Sequence, residues 1–423
     1  MNPIYVEAGK LDPNQEAIYN LKLDSKFIVR GCAGSGKTSL ALLRMYQLLK
    51  SETETSVTPF YYVSFVRELV ECMRKEIAHC PDGEPRFNDY AITYENWARG
   101  EISSWMRKKF GIHSRSTMYK EPYTVNVKGR MYPRQDIKVN PQPDYLFVDE
   151  CQDLDMEAVD SLMESAQKGI SFYGDDDQQI MAWGRRCPVS LETIREKYGL
   201  KIHDLIFNYR LPKEIALFAE QLGGRPELSR HCKSPYHEKP FLIKVSNQDD
   251  AYAYMKGRIR NIGLQDVGIA FQTNEEVRNG YKALRRMLGD KRVSGAWNIK
   301  SQGSPDDYDS LRETQVKIMT YQKIKGQQFE TVFLFVSGEL SPEMIKRFYV
   351  GATRAERFLY VLYTDPMPAV LRQIPTCFYS TTDEVGDFKD LYIKPKTQDE
   401  KPKTQDELLD AMLDGKSVVD VGF

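Results

Sequence analysis

One stretch constrains the fold more than any other: KFIVRGCAGSGKTSLALLRMYQLLK, Lys26 to Lys50. A short apolar run leads into a glycine-rich segment, and a stretch of helical periodicity follows without a break. This reads as strand, loop, helix. The spacing G-x-x-x-x-G-K-[ST] falls on Gly31, Gly36, Lys37 and Thr38. Glycines let successive backbone N–H groups curl around phosphate oxygens, and the helix start adds the positive end of its dipole. Lys37 is placed for the β- and γ-phosphates, and the Thr38 hydroxyl for Mg²⁺.

The chain around this loop alternates strand-like and helical patterns from Phe27 to about Tyr363. Runs such as PFYYVSF, DYLFVDE, ISFYGD, VGIAF, TVFLFV and FLYVLY are continuously apolar. Strands buried on both faces of a parallel sheet have this character. VRELVECMRKEIA and the helix after the loop supply the intervening helical patterns. The class is α/β with parallel sheets.

A phosphate loop of this kind needs a second Mg²⁺ carboxylate, expected on a neighbouring strand. DYLFVDECQDL supplies Asp149 for the metal and Glu150 as the base that orients attacking water. YGDDDQQIMAW, Tyr173 to Trp183, places three carboxylates and two amides after another strand. Carboxylates crowd like this where Mg²⁺ or arginines favour their ionised form. A glutamine there is expected to sense the γ-phosphate or the water, and Trp183 offers a face for stacking on a base.

Composition limits the partners. The chain has 423 residues, enough for two or three domains, and a net charge of -1, so any nucleic-acid surface must be local. From Arg99 to Lys138, ten Lys/Arg and three acids give 10 − 3 = +7, with Trp105, Phe110, Tyr119, Tyr123 and Tyr132 interleaved. The seven cysteines show no zinc spacing and read as reduced thiols, hence a cytoplasmic location. No apolar run has the length of a membrane span, so no membrane is expected as a partner. KPKTQDE at 394–400 recurs at 401–407, a polar linker before a short apolar LLDAML.

Together these segments resemble the UvrD/Rep-like branch of the superfamily 1 DNA helicases over about residues 11–363. LDPNQEAIYN resembles the Q motif, in which Gln15 would read adenine. GCAGSGKT is similar to motif I, adding Gly34 and Ser39 to the nucleotide set. YYVSFVRELVECMRKEI looks like motif Ia with Phe65 at a base contact. AITYENWA looks like motif Ib with Thr93 and Tyr94 matching and Glu95 where histidine is usual. VDECQD is similar to motif II. GDDDQQIMAW resembles motif III, with Gln178 coupling and Met181 and Trp183 at the strand. NYRLP resembles motif IV with Arg210, and VGIAFQTNEEV motif IVa. TYQKIKGQQFETVFL resembles motif V with Thr320 at the DNA, and YVGATRAERFLYV motif VI with Arg354.

The resemblance implies two RecA-like P-loop NTPase domains closing over ATP and Mg²⁺. Arg210 and Arg354, far from the phosphate loop in the chain, can supply transition-state charge only if two α/β units close. Expected bounds are 1–200 with a small basic insertion at about 98–142, then 201–375, then a linker and tail at 376–423. The implied activity is ATP-dependent movement on single-stranded DNA, 3′-to-5′. Three positions depart from the family pattern. Gln322 replaces histidine, Gln328 replaces a glutamate near the ribose, and Met181 stands where an aromatic is common. The interval from Arg210 to Thr320, 320 − 210 = 110 residues, leaves no room for the large inserted domain of bigger relatives. Two other readings stay open: a nucleic-acid-stimulated regulatory ATPase without unwinding, and a motor on RNA, which Gln328 allows. A protein partner such as a nuclease fits the compact form, because compact relatives occur beside nucleases in bacterial defence systems.

Overall fold

The computed structural model describes residues 8–50, 60–78, 91–94, 97, 124–127, 130–133, 143–180, 188–261, 263–289, 292–296 and 314–381. In chain order the strands are β1 Lys26–Gly31, β2 Phe60–Ser64, β3 Ala91–Thr93, β4 Thr124–Val127, β5 Arg130–Pro133, β6 Tyr145–Asp149, β7 Gly169–Gly174 and β8 Lys201–Leu205. Then come β9 Phe241–Lys244, β10 Val267–Phe271, β11 Val293–Ala296, β12 Val316–Thr320, β13 Phe329–Val336 and β14 Ala355–Tyr363. Three helices matter most for the site: α1 Pro13–Tyr19, α2 Lys37–Lys50 and α3 Arg67–Ala78.

Twelve of these strands form two six-stranded sheets, ordered β3-β2-β6-β7-β1-β8 and β11-β12-β10-β13-β14-β9. Every pairing in both is parallel. The protein is therefore α/β with two parallel sheets, as the apolar runs predict. Ile28, Val29, Val63, Val148 and Phe172 in the first sheet, with Ile269, Phe333 and Leu334 in the second, are fully buried. Each such side chain contributes about 1.5–3 kcal/mol of burial. The pair β4 and β5 forms a separate antiparallel ribbon inside the basic segment.

Two expected boundaries shift. β8 pairs with β1, so the division after residue 200 falls one strand early for the first sheet. β8 reads KIHDL and is partly exposed along its length, because an edge strand needs no continuous apolar run. Residues 376–381 also remain attached to the second sheet. Leu242 N donates to Ser380 O at 2.8 Å, and Ser380 N to Pro240 O at 2.8 Å. The neighbouring-strand expectation for Asp149 is corrected too, since β7 lies between β1 and β6. The repeated KPKTQDE segment and the tail lie outside the described residues, as does most of the basic segment. Among the described residues no helix is long and apolar enough to cross a membrane.

α1 is fastened to the phosphate-loop helix. Asp12 caps it, accepting from Asn14 N at 2.7 Å and Gln15 N at 3.0 Å, and Gln15 Oε1 accepts from Asp12 N at 3.2 Å. Beyond its other end, the buried Arg44 of α2 donates to the carbonyls of Ile18, Tyr19, Leu21 and Lys22 at 2.9–3.2 Å. Carbonyls at a helix end have no partner within the helix, and here a guanidinium supplies one.

Candidate active site

The glycine loop turns through two left-handed residues, Gly34 at φ +83° and Gly36 at φ +89°. A side chain at either would strain the backbone and strike a neighbour. The added Cβ would lie 2.5 Å from Asn208 Oδ1 at Gly34 and 2.7 Å from Gln15 Nε2 at Gly36. Gly31 ends β1, and its Cβ would meet Ser35 Oγ at 2.3 Å. Lys37 is buried and its Nζ donates to the carbonyls of Gly31 at 2.7 Å and Cys32 at 3.0 Å. Ser39 follows in the first turn of α2, half-buried. Gln15 Nε2 donates to Ser35 O at 3.1 Å, so the residue expected to read adenine also braces the loop.

Sheet register brings the metal-ligand candidates together across the intervening strand. Asp149 lies level with Tyr173 of β7 and with Ser64 of β2, and Ser64 in turn with Thr93 of β3. Thr38 Oγ1 donates to Asp149 Oδ2 at 2.7 Å, and Tyr62 OH donates to the same oxygen at 2.8 Å. Burial, then the neighbouring Glu150, push the Asp149 carboxyl up, while Thr38, Lys37 and Tyr62 oppose them. Glu150 follows at φ 54°, an unusual backbone for a residue with a side chain. Burial pushes its carboxyl up, but Lys325, Lys37 and Arg354 more than offset this and hold it at about 2. It is therefore ionised, as a base must be.

The acidic run resolves into a network. Gln178 Nε2 donates to Asp175 Oδ2 at 2.5 Å, Asp175 N to Gln152 Oε1 at 3.1 Å, and Gln152 Nε2 to Glu150 Oε2 at 2.6 Å. Gln178 Oε1 accepts from Arg354, which comes from the second sheet. Arg210 and Arg354 converge there. Arg210 donates to Thr353 O at 3.3 Å, and Arg354 Nε to Val350 O at 3.2 Å. Burial, then the charge of Arg354, lower Arg210 to about 10. In the amide orientation that satisfies both groups, Gln328 accepts from Arg210 at 2.8 Å and donates to Glu356 at 3.0 Å.

Among the buried polar atoms without a hydrogen-bond partner are Ser35 Oγ in the loop and Arg210 Nε. Lys37, the buried Arg354 and the partly buried Arg210 lie at this cleft. That donor set fits the phosphates of a nucleotide, and Thr38 with Asp149 fits a divalent cation.

Of the strand-contact candidates, Phe65 and Thr93 are half-buried at the ends of β2 and β3. Two others are buried. Tyr94 is 3% exposed, packed in the core with its ring 6.0 Å from that of Trp97. Thr320 is 8% exposed, its hydroxyl accepting from Lys323 N at 3.3 Å at the end of β12. Met181, Trp183 and Glu95 lie outside the described residues. Sequence reasoning missed Tyr62, Asn208, Lys325 and Glu356. Asn208 Nδ2 donates to Ala33 O at 2.6 Å, clamping the glycine loop. None of the four carries a local pattern, since each acts on residues distant in the chain.

Residues 14–183 match the family model described as an AAA domain, and residues 315–362 match the UvrD-like helicase C-terminal domain. These two matches support a UvrD-like helicase. Domains of this kind point to a helicase-type, nucleic-acid-dependent ATPase that binds nucleotide. One solved structure with similarity to this UvrD-like chain is the C-terminal domain of a possible DNA helicase from Lactobacillus plantarum WCFS1. Identity is 14%, over 41% of this chain and 98% of that one, with a TM-score of 0.31. So low a score carries no weight for fold or activity. No curated protein matches the chain.

Proposed function

We propose that this UvrD-like chain is an ATP-dependent motor that moves 3′-to-5′ on single-stranded DNA. The observation that carries the reading is convergence at one cleft. Lys37, Thr38, Asp149 and Glu150 come from the carboxyl ends of β1 and β6 and the start of α2. Arg210, Gln328 and Arg354 approach from the second half, the last two just before β13 and β14. Neither half holds a complete set, so turnover depends on closure.

In this reading Gln15 and Gln328 lie at the base and sugar, and the glycine loop with Lys37 and Ser39 holds the phosphates. Thr38 and Asp149 would hold Mg²⁺, which supplies charge neutralisation on the phosphates when bound. Glu150 orients and deprotonates water. Arg210 and Arg354 stabilise charge on the transferring group. Phe65, Thr93 and Trp183 lie on the strand side, with the end of β12. The cytoplasm is the compartment this reading assigns.

The test is ATP turnover with single-stranded DNA, duplex DNA and RNA of one sequence, alongside strand displacement. Stimulation by single-stranded DNA with displacement of a 3′-tailed duplex supports the motor. Equal stimulation by RNA would move the substrate class. Trp183→Ala should weaken strand binding by about 1–3 kcal/mol if the ring stacks on a base.

A second reading has an observation behind it. Between Arg210 and Thr320 the described residues are taken up by β9, β10 and β11 with their helices, all part of the second sheet's own fold. A chain built this way suits a nucleic-acid-stimulated ATPase subunit that unwinds only with a partner, such as a nuclease. Stimulated turnover without strand displacement would favour it.

A further inference from the structure

One face of the second sheet carries a charge pattern that takes no part in the proposed motor. Helices Gln248–Asn261 and Asn274–Leu288 lead from β9 to β10 and from β10 to β11, both in the same direction across the sheet. Right-handed crossovers therefore lay them on one face. They meet there closely. A Cβ at Gly280 would lie 2.8 Å from Phe271 Cε2 and 3.3 Å from Tyr252 Cε1, and Arg260 Nη2 donates to Met287 O at 2.6 Å.

Asp250 and Glu276 are the last acids in their helices, and seven Lys or Arg follow them there, in a chain whose net charge is -1. Cations in a last turn answer the helix dipole, and Arg258, Arg260, Arg285 and Arg286 stand in such turns. Arg278 and Lys282 stand in mid-helix, where the dipole does not account for them. Arg278, Lys282 and Arg286 are all exposed. Spaced four residues apart, they form one stripe that advances about 6 Å per step.

The chemistry of this face selects its partner. The core of a protein–protein interface is poor in charge and rich in aromatic residues and Met. Among the described residues the exposed large apolar side chains are Ile206 and Tyr209, and neither is on these helices. Single strands are held by bases stacking on open rings. Here Arg258 lies over the Tyr254 ring at 5.4 Å and Arg285 over the Tyr281 ring at 5.3 Å, so a face of each ring is already taken. Cations without open stacking groups suit a phosphate backbone, and a duplex presents one charge per about 1.7 Å of its axis. We infer that the exposed face of these two helices binds the phosphate backbone of duplex nucleic acid, without reading its sequence. The surface is apart from the strand side. Helices that precede β10 and β11 end at the amino edge of the sheet, and Thr320 closes β12 at the opposite edge. Nucleic acid as the polymer rests on the motor reading.

The experiment measures binding of a blunt-ended DNA duplex across a salt series without ATP. Binding of a single-stranded oligonucleotide, and the ATP turnover it stimulates, are measured beside it. The parent should bind the duplex with a steep salt dependence. Arg278→Ala, Lys282→Ala and Arg286→Ala combined should lower the slope of log affinity against log salt by about two to three, since each phosphate contact contributes about 0.9. Duplex affinity at low salt should fall at least about tenfold, with single-strand affinity and stimulated turnover within about twofold of the parent's. All three positions are exposed and alanine favours a helix, so the fold is not at stake. Arg278→Lys with Arg286→Lys keeps the charge and should keep the parent's slope. A parent that does not bind duplex overturns the inference. So does an unchanged slope in the alanine variant, a slope lost equally in the lysine variant, or an equal loss on single strands. Polyglutamate that displaces the duplex as well as competitor DNA of equal charge overturns it in favour of an acidic protein. If single strands fail to stimulate turnover in the parent, the motor reading falls instead, and the duplex slopes, read without ATP, still decide the inference.

Discussion

Thr38 Oγ1 and Tyr62 OH donate to the same oxygen of Asp149, at 2.7 and 2.8 Å. One donor comes from the glycine-loop helix and the other from β2. The carboxylate is thus oriented before any ligand arrives, and its second oxygen accepts from Glu150 N at 2.9 Å. Outer hydrogen bonds of this kind set the geometry of a metal ligand.

Tyr62→Phe should leave the fold intact and raise the Mg²⁺ concentration needed for half-maximal turnover by about tenfold. A Mg²⁺ titration of ATP turnover at saturating ATP reads this directly. An unchanged midpoint would remove Tyr62 from the metal site.

Lys37→Ala and Glu150→Gln should separate binding from chemistry. Removing Lys37 takes away charge facing the phosphates, so nucleotide binding and turnover should both fail. Glu150→Gln keeps the loop and should bind nucleotide normally while turnover falls by about 10²–10⁴-fold. Equilibrium nucleotide binding beside steady-state turnover distinguishes them, and parent-like turnover in either would refute the assignment.

Arg210→Ala and Arg354→Ala should each lower the maximal rate by at least about 10³-fold, the effect of losing an arginine at a transferring phosphoryl group. Affinity for nucleotide should change far less. Arg210 Nε has no protein partner, whereas Arg354 is tied to Gln178. Arg354→Ala should therefore also loosen the contact between the halves, visible as faster amide exchange at Gln178. If affinity and rate fall equally in either variant, that arginine serves ground-state binding instead.

Arg44→Met tests the brace behind the site. It removes the donor to four backbone carbonyls, one buried and three partly buried. Stability should fall by about 2–3 kcal/mol, as for lost bonds to a charged donor. Denaturant unfolding checks it; a loss below about 0.5 kcal/mol would mean the carbonyls find water instead.

Much of this protein was legible in its sequence because local patterns have local causes. The glycine spacing in GCAGSGKT follows from backbone angles that glycine adopts readily, and Gly34 and Gly36 take them. Continuous apolar runs such as YLFVD follow from burial on both faces of a parallel sheet, and β6 is buried throughout. The order of segments along the chain also carried the family. Tertiary structure decided what no local pattern encodes. It set β7 between β1 and β6, and added the polar edge strand β8 to the first sheet. It turned Tyr94 into the core, where an aromatic ring gains more from packing than from exposure. It also placed Lys325 beside Asp153 and Glu150. A lysine in KIKGQQ looks like any solvated turn residue, since charge pairing depends on distance in space, and only folding brings those carboxylates within reach.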